Sequence, residues 1–416
     1  MIVHHIISRR IAILLAVLLA AGISLFAQNS TSSPLSIFGI GEIESRDFGS
    51  TTGFGNAGIG MKSVNFLNRR NPAGLSGIDT LVFIFDISTA VKSSVFSTSA
   101  MDKQAVDFNF KNLSAGFRIS KRWTTGVGLS PYTNVGYSIS QMQQVEGTPE
   151  TFNTVFSGEG GVNKVYWGNA VEVVRGLSLG LTASYFFGTI THNETARSIL
   201  ITETMTANKL YLDFGAQYSL PIEKHTLLTV GGVYGYKSNF DLYRRRTVAY
   251  YNVLGKDEAL ADKRMYLPES FGVGFSVWRH KKDHEWLFAA DYYRQNWSVN
   301  SDRLRGLVFS DSQTYNAGLQ FVPNSRRPSN YLQVIRYQAG VSYSESYLSI
   351  NGYPVKDYSV SFGLGLPFSR TRSYVNVAVN AGQSGTGHRG GITENYVLFS
   401  VNLSLIELWF AKQKFE

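Results

Sequence analysis

The chain has 416 residues, 17% of them charged, a formal net charge of +9 and no cysteine, so it has no disulfide framework to stabilise it outside the cell. Mean hydropathy is near zero, at −0.07, with 40 glycines, 27 phenylalanines and 23 tyrosines. Past the first thirty residues no apolar run is long enough to span a bilayer as a helix. What remains open is a soluble exported protein or a membrane β-barrel, whose strands hide their hydrophobicity in alternation.

In chain order, Arg9 and Arg10 precede an apolar run from Ile11 to Ile23, and Ala27-Gln28 is a plausible cleavage point. This layout predicts a signal peptide over 1–27. The run falls short of the ~20 residues a helical anchor needs, and with no cysteine after it a diacylated lipoprotein is excluded. Irregular, glycine-rich sequence follows over 28–79. Within it "GFGNAG", Gly53 to Gly58, formally matches a dinucleotide fingerprint. The fingerprint needs a strand before it and a helix after it, and the sequence provides neither. Asn71, Pro72, Ala73 and Gly74 then interrupt any strand, and "LVFIF" opens the first regular element.

From there a period of two dominates. Leu177, Leu179, Leu181, Ala183, Tyr185 and Phe187 oppose Ser178, Gly180, Thr182, Ser184 and Gly188, with Phe186 as the large exception. Tyr358 to Leu366 and Val397 to Leu405 repeat the pattern. Strands are predicted at about 80–98, 104–120, 122–142, 162–174, 177–190, 204–220, 225–243, 265–279, 285–298, 312–322, 331–350, 354–367, 373–384 and 394–406. Mostly tight turns alternate with a set that includes long loops, near 143–161, 191–203, 244–264, 299–311 and 385–393. This asymmetry, the aromatic strand ends and strands beyond the globular mode of about five or six residues predict an outer-membrane barrel. An even strand count places both chain ends on the short-turn, periplasmic side.

The third strand carries Pro131 among Gly126, Gly128 and Gly136. Proline in sheets is confined to edges and bulges, so Pro131 marks either a simple bulge or a broken wall. Much of the basic excess sits in predicted periplasmic turns, including Lys121, Arg122, Arg175, Lys224 and Lys281. That placement suits a solvated rim meeting headgroups rather than nucleic acid, which is not expected as a partner. Arg244, Arg245 and Arg246, at a predicted extracellular strand end, are candidates for gripping lipopolysaccharide phosphates; a plain solvated rim is the competing reading. His280 and His284 flank a turn and lack further ligands for a metal site. His192 and His388 sit on the outer side without a nucleophile motif. No enzymatic activity, metal or cofactor is expected.

The stretch "GFGNAGIGMKSVNFLNRRNPAGLSG" resembles the N-terminal hatch of the FadL-type outer-membrane transporter family. Asn71, Pro72 and Ala73 match the family's Asn-Pro-Ala, and Gly53, Gly55, Ala57, Gly58 and Gly60 match its small-residue run. The ending "WFAKQKFE" is similar to the closing segment of such barrels from Bacteroidetes-like bacteria. The resemblance implies a hatch over 28–79 inside an all-β, antiparallel barrel of about 14 strands over 80–416. It further implies a hydrophobic, fatty-acid-like ligand carried inward, with lateral exit at a kinked third strand, where Pro131, Gly126, Gly128 and Gly136 stand. The small or polar inward faces of the fifth and twelfth strands, and Asp291, Tyr293 and Gln295, which point inward on alternation, fit a less greasy lumen. The alternative is a non-transporting partner barrel in a secretion or outer-membrane assembly complex, as PorV-like members are. The expected partners are therefore outer-membrane lipids and lipopolysaccharide, a hydrophobic ligand, and an outer-membrane protein.

Overall fold

The computed structural model describes residues 31–44, 49–98, 102–145, 147–251, 253–281, 283–300, 307–350, 352–368, 373–387 and 391–408. The predicted signal peptide, His388 and the ending 409–416 lie outside them. Fourteen antiparallel strands form a closed barrel: β1 (Val82–Ser97), β2 (Asp102–Arg118), β3 (Trp123–Gln144), β4 (Thr151–Val174), β5 (Leu177–Ala196), β6 (Ile199–Glu223), β7 (Thr226–Gly235), β8 (Ser270–Lys281), β9 (His284–Gln295), β10 (Ser312–Val322), β11 (Arg336–Ile350), β12 (Tyr353–Pro367), β13 (Tyr374–Gly385) and β14 (Thr393–Leu408). Each strand pairs with the next, and β14 closes on β1 from Val82↔Leu408 to Ser97↔Thr393.

The alternation sorts faces as the pattern requires. Val360, Phe362 and Leu364 face outward and are exposed, whereas Ser359 and Ser361 are buried inside; Val397, Phe399 and Val401 oppose Ser400 and Asn402 in the same way. Phe186, the exception on β5, is 4% exposed because it enters an apolar cluster inside the barrel. The outward face is a lipid-facing belt, since only a closed barrel satisfies its own backbone within hydrocarbon.

The predicted loops 143–161, 191–203 and 244–264 are corrected to β-structure. The first two become the extended ends of β3, β4, β5 and β6. The third becomes an outer hairpin, Leu242–Tyr250 with Val253–Lys263, which pairs with Ile199–Ala207 of β6. At ~3.3 Å per residue the 25 residues of β6 span about 80 Å, far beyond the 9–11 residues that cross a bilayer. This part of the wall therefore projects from the membrane, and its polar sequence reads as loop only because no lipid-facing alternation marks it. On the opposite side β4 and β5 are joined by Arg175 and Gly176 alone; Gly176 has φ +88°, which a tight hairpin turn requires.

Candidate functional site

The glycine-rich segment before β1 lies against the inward face of the wall. Thr52–Phe54 and Pro72–Gly77 form short 3-10 turns, and Phe54, Ile59 and Ile78 are almost fully buried. Its backbone approaches the strands so closely that side chains are excluded. A Cβ on Gly53 would lie 2.4 Å from the Gly363 Cα of β12, and one on Gly55, at φ +65°, would lie 2.5 Å from the Ala317 carbonyl of β10.

Asn71 is wholly buried at the start of the second turn. Its Oδ1 accepts from the Ala73 N–H (3.0 Å), and its Nδ2 donates to the carbonyls of Ile59 (2.9 Å) and, on β6, Ala216 (3.0 Å). Pro72 suits this first helical position because its missing N–H needs no partner there. Gly74 packs against the Asn68 side chain and Gly58 against Arg70. The Asn-Pro-Ala motif thus holds the segment's own fold and its seat on the wall together.

Polar wall residues bond further backbone groups of the segment. Asp291 of β9 accepts from the N–H groups of Gly58 (2.6 Å) and Ile59 (2.9 Å), with the Arg70 Nε 3.8 Å away. Gln217 of β6 donates to Ile59 (2.8 Å) and Met61 (3.0 Å), Ser276 of β8 donates to Gly60 (2.6 Å), and Ser361 of β12 accepts from Gly55 (2.9 Å). Asp291 and Tyr293 do point inward as alternation requires. The pairing across more than two hundred residues has no local signature in the sequence.

In the outer half, the preceding stretch of chain fills the lumen. Leu35 and Ile40 join Tyr132, Val135, Phe186, Tyr211, Phe240, Trp297 and Tyr347 in one apolar core, with Ile37, Phe38 and Ile43 packed on it. Tyr132 and Phe186 meet edge to face at 4.7 Å, and Tyr347 donates to the Gly41 carbonyl (2.6 Å). Beside this core lies a cavity of about 360 Å³ lined by Glu42, Glu44, Lys92, Lys111, Asp357 and Glu394 among others. Lys92 pairs with Glu394 (2.6 Å) and Lys111 with Glu44 (2.8 Å). Sequence reasoning missed these pairs, whose members lie far apart in the chain.

At Pro131 the β3–β4 register shifts, a bulge between Pro131 and Thr133. The β2–β3 ladder runs only from Arg118↔Thr124 to Leu113↔Leu129, and ends two residues before Pro131. Above that point the inner segment pairs with β3 instead, Glu42↔Asn134 and Ile43↔Thr133, and Ser36 Oγ bonds both the N–H (3.0 Å) and the carbonyl (3.2 Å) of Gly136. Gly128 accommodates the Tyr166 ring, and Gly126 lies against Gly116 of β2 and Leu75 of the second turn.

The three arginines lie on the outer hairpin and are engaged by carboxylates. Arg244 bonds Glu203 (2.7 Å), Arg246 bonds Glu203 (3.2 Å), and Arg245 pairs with Asp257. Burial pushes the Glu203 carboxyl up, but the bonds from Arg244 and Arg246 outweigh it and hold the group below its ordinary value. His192 Nδ1 meets the Tyr137 hydroxyl (2.6 Å), His280 meets Glu285 (3.1 Å), and His284 meets the Pro323 carbonyl (2.5 Å). Among the described residues no three His, Cys, Asp or Glu side chains converge as a metal set.

One family model, BamG, matches residues 7–416 of the chain. No curated protein sequence matches it significantly. Among solved structures, the chain is similar to the Pseudomonas putida toluene transporter TodX at 15% identity and a TM-score of 0.58, covering 88% of this chain and 99% of that one. A Pseudomonas aeruginosa FadL homologue gives 12% identity and 0.59 over 88% and 99%. The Ralstonia pickettii toluene transporter TbuX gives 13% and 0.56 over 86% and 98%. The fold is therefore that of a FadL-like barrel of the bacterial outer membrane.

Proposed function

We propose that this chain, which belongs to the BamG family, works as a non-transporting partner barrel within an outer-membrane protein assembly or secretion complex. The supporting observation is the lumen. Its apolar outer part is occupied by the chain's own Leu35, Ile37, Phe38, Ile40 and Ile43, and the cavity of about 360 Å³ left beside it sets the charged Lys92, Lys111, Glu44 and Glu394 among apolar groups such as Leu348, Val355 and Leu398. An alkyl chain gains about 0.8 kcal/mol per CH₂ only where the surroundings are apolar, and separating the buried pairs of Lys92 and Lys111 would leave charges uncompensated. In this reading residues 28–79 are a plug that seals the barrel. Arg244, Arg245 and Arg246 then brace the outer hairpin, and lipopolysaccharide phosphate would have to displace Glu203 and Asp257 to reach them.

The second reading is transport of a hydrophobic compound, as in the toluene transporters TodX and TbuX among the structural neighbours. It is favoured by the fold and by the ladder that stops beside Pro131, which would serve as the site of lateral exit. Native mass spectrometry with lipid extraction, on barrel purified in mild detergent, separates the two. A stoichiometric protein partner and a lumen free of extractable hydrocarbon is the expected result. Co-purified fatty acid or hydrocarbon without a protein partner would overturn the proposal. Under transport alone, Pro131→Val would lower uptake while leaving the barrel folded.

A further inference from the structure

Four neighbouring strands, β12, β13, β14 and β1, carry polar and charged groups into the outer lumen. Asp357 of β12 stands opposite Ser384 of β13, and Ser384 opposite Glu394 of β14. Farther along the same strands, Asn380 of β13 stands opposite Leu398 of β14, and Leu398 opposite Lys92 of β1. All of these residues line the cavity of about 360 Å³, as does Glu42 of the inner segment.

The charges here do not balance. Lys92 pairs with Glu394 at 2.6 Å and lies 4.8 Å from the centre of the Tyr396 ring. Glu42 and Asp357 also act on its charge, so one ammonium group faces three carboxyl groups. The ion pairs around the cavity are Lys92–Glu394, Lys111–Glu44 and Lys356–Glu345. Among the described residues neither Glu42 nor Asp357 belongs to one, and Asp357 accepts only a hydroxyl, that of Tyr396 at 3.1 Å. A carboxylate held away from water without a matching cation is costly. Asn380 shows a related deficit in a neutral group. It is 8% exposed, and its Oδ1 is buried with no donor among the described residues, whereas buried amide oxygens are nearly always bonded. An ammonium group meets both needs, because it brings positive charge and three donors.

The lining narrows the chemistry of the occupant. Among the described residues no three carboxyl groups converge as a metal set, so the deficit is not that of one divalent ion. Leu348, Val355 and Leu398 put apolar surface between the charged groups. Methylene groups cover such surface while a charged end stays with its partner. The volume falls within the ~300–1,000 Å³ of small-molecule sites. Glu345, whose side chain is 28% exposed, also lines the cavity and opens it toward the outer rim.

We propose that this cavity binds a linear aliphatic diamine or polyamine. Its ammonium groups meet Glu42, Asp357 and the Asn380 Oδ1, and its methylene stem lies along Leu348, Val355 and Leu398. The site needs neither cargo nor a protein partner, so it goes beyond both readings of the barrel and does not fall with either.

Full-length barrel, purified in mild detergent and washed at high salt, is titrated by calorimetry at pH 7 with 1,5-diaminopentane and with spermidine. Butylamine and magnesium chloride at matched ionic strength are the controls. Saturable 1:1 binding is expected, about tenfold or more tighter than that of butylamine. Asp357→Asn, which keeps an acceptor for Tyr396, should weaken it about tenfold or more, and Asn380→Leu by severalfold. Both should keep the heat-modifiable migration of a folded barrel, since neither breaks an ion pair. Equal affinity for magnesium or butylamine would show a general counterion effect and overturn the proposal. So would wild-type affinity in a folded Asp357→Asn or Asn380→Leu variant. Amine retained through purification is read by amine-reactive labelling of an acid extract, where one amine per barrel supports the site. An amine-free extract together with no saturable titration of the wild type overturns the proposal without any variant.

Discussion

Replacing Asn71 with alanine tests whether the inner segment is held by a redundant network or by one residue. Asn71→Ala removes the acceptor that caps Ala73 and the amide that donates to the Ile59 carbonyl and, on the wall, to the Ala216 carbonyl, which stays within the β6 ladder. The cap is worth about 1 kcal/mol. The lost donor costs about another 1 kcal/mol rather than a full desolvation penalty, because Gln217 still donates to Ile59 at 2.8 Å. The total is about 2 kcal/mol, or about 30-fold in the local opening constant. Gln217→Met alone should cost less than about 1 kcal/mol. Ile59 keeps Asn71 and Met61 keeps Asn68, and the change removes a Gln217 Oε1 that is buried without a partner. In the double variant the Ile59 carbonyl has lost both side-chain donors, and the pair should exceed the sum of the singles by about 1–3 kcal/mol. Hydrogen exchange of the Ala73 amide in detergent micelles reads these openings directly. Strict additivity, or an Asn71→Ala amide that exchanges at the wild-type rate, would refute the reasoning.

Other outcomes follow from the same contacts. Asp291→Asn removes a carboxylate that serves two backbone N–H groups and faces Arg70; disrupting this buried site should cost about 3–5 kcal/mol, seen as a lower unfolding temperature of the heat-modifiable band. Gly53→Ala places a methyl within contact distance of backbone on β12, and the overpacking should cost about 1–3 kcal/mol on the same gel. The outer hairpin should show a pH limit. Glu203 titrates below its ordinary value of 4.5 when folded, so its contribution is complete above that value and is lost as pH falls through the lower, folded one. Limited proteolysis should therefore leave Leu242–Lys263 intact at neutral pH and cut it in strong acid, whereas Glu203→Gln should allow cutting at neutral pH.

Much of the architecture was legible because a lipid-facing wall imposes a strict local rule. Val360, Phe362 and Leu364 alternate with Ser359 and Ser361 since one side meets hydrocarbon and the other the interior, and two-residue periodicity needs no distant information. That Asn71, Pro72, Ala73 and Gly74 interrupt any strand was legible for a related reason: proline and glycine act on the backbone at short range. Where the wall leaves the membrane, the rule lapses, and the outer ends of β4, β5 and β6 and the outer hairpin passed for loops.

By itself, then, the sequence determined the barrel, its strand count and the position of the irregularity at Pro131. The tertiary structure alone decided which wall residues the inner segment meets. Leu35 and Ile40 reach Trp297 and Tyr347, Asp291 reaches Gly58 and Ile59, and Lys92 reaches Glu394. These contacts join residues more than two hundred positions apart, and only closure of the barrel brings them within bonding distance.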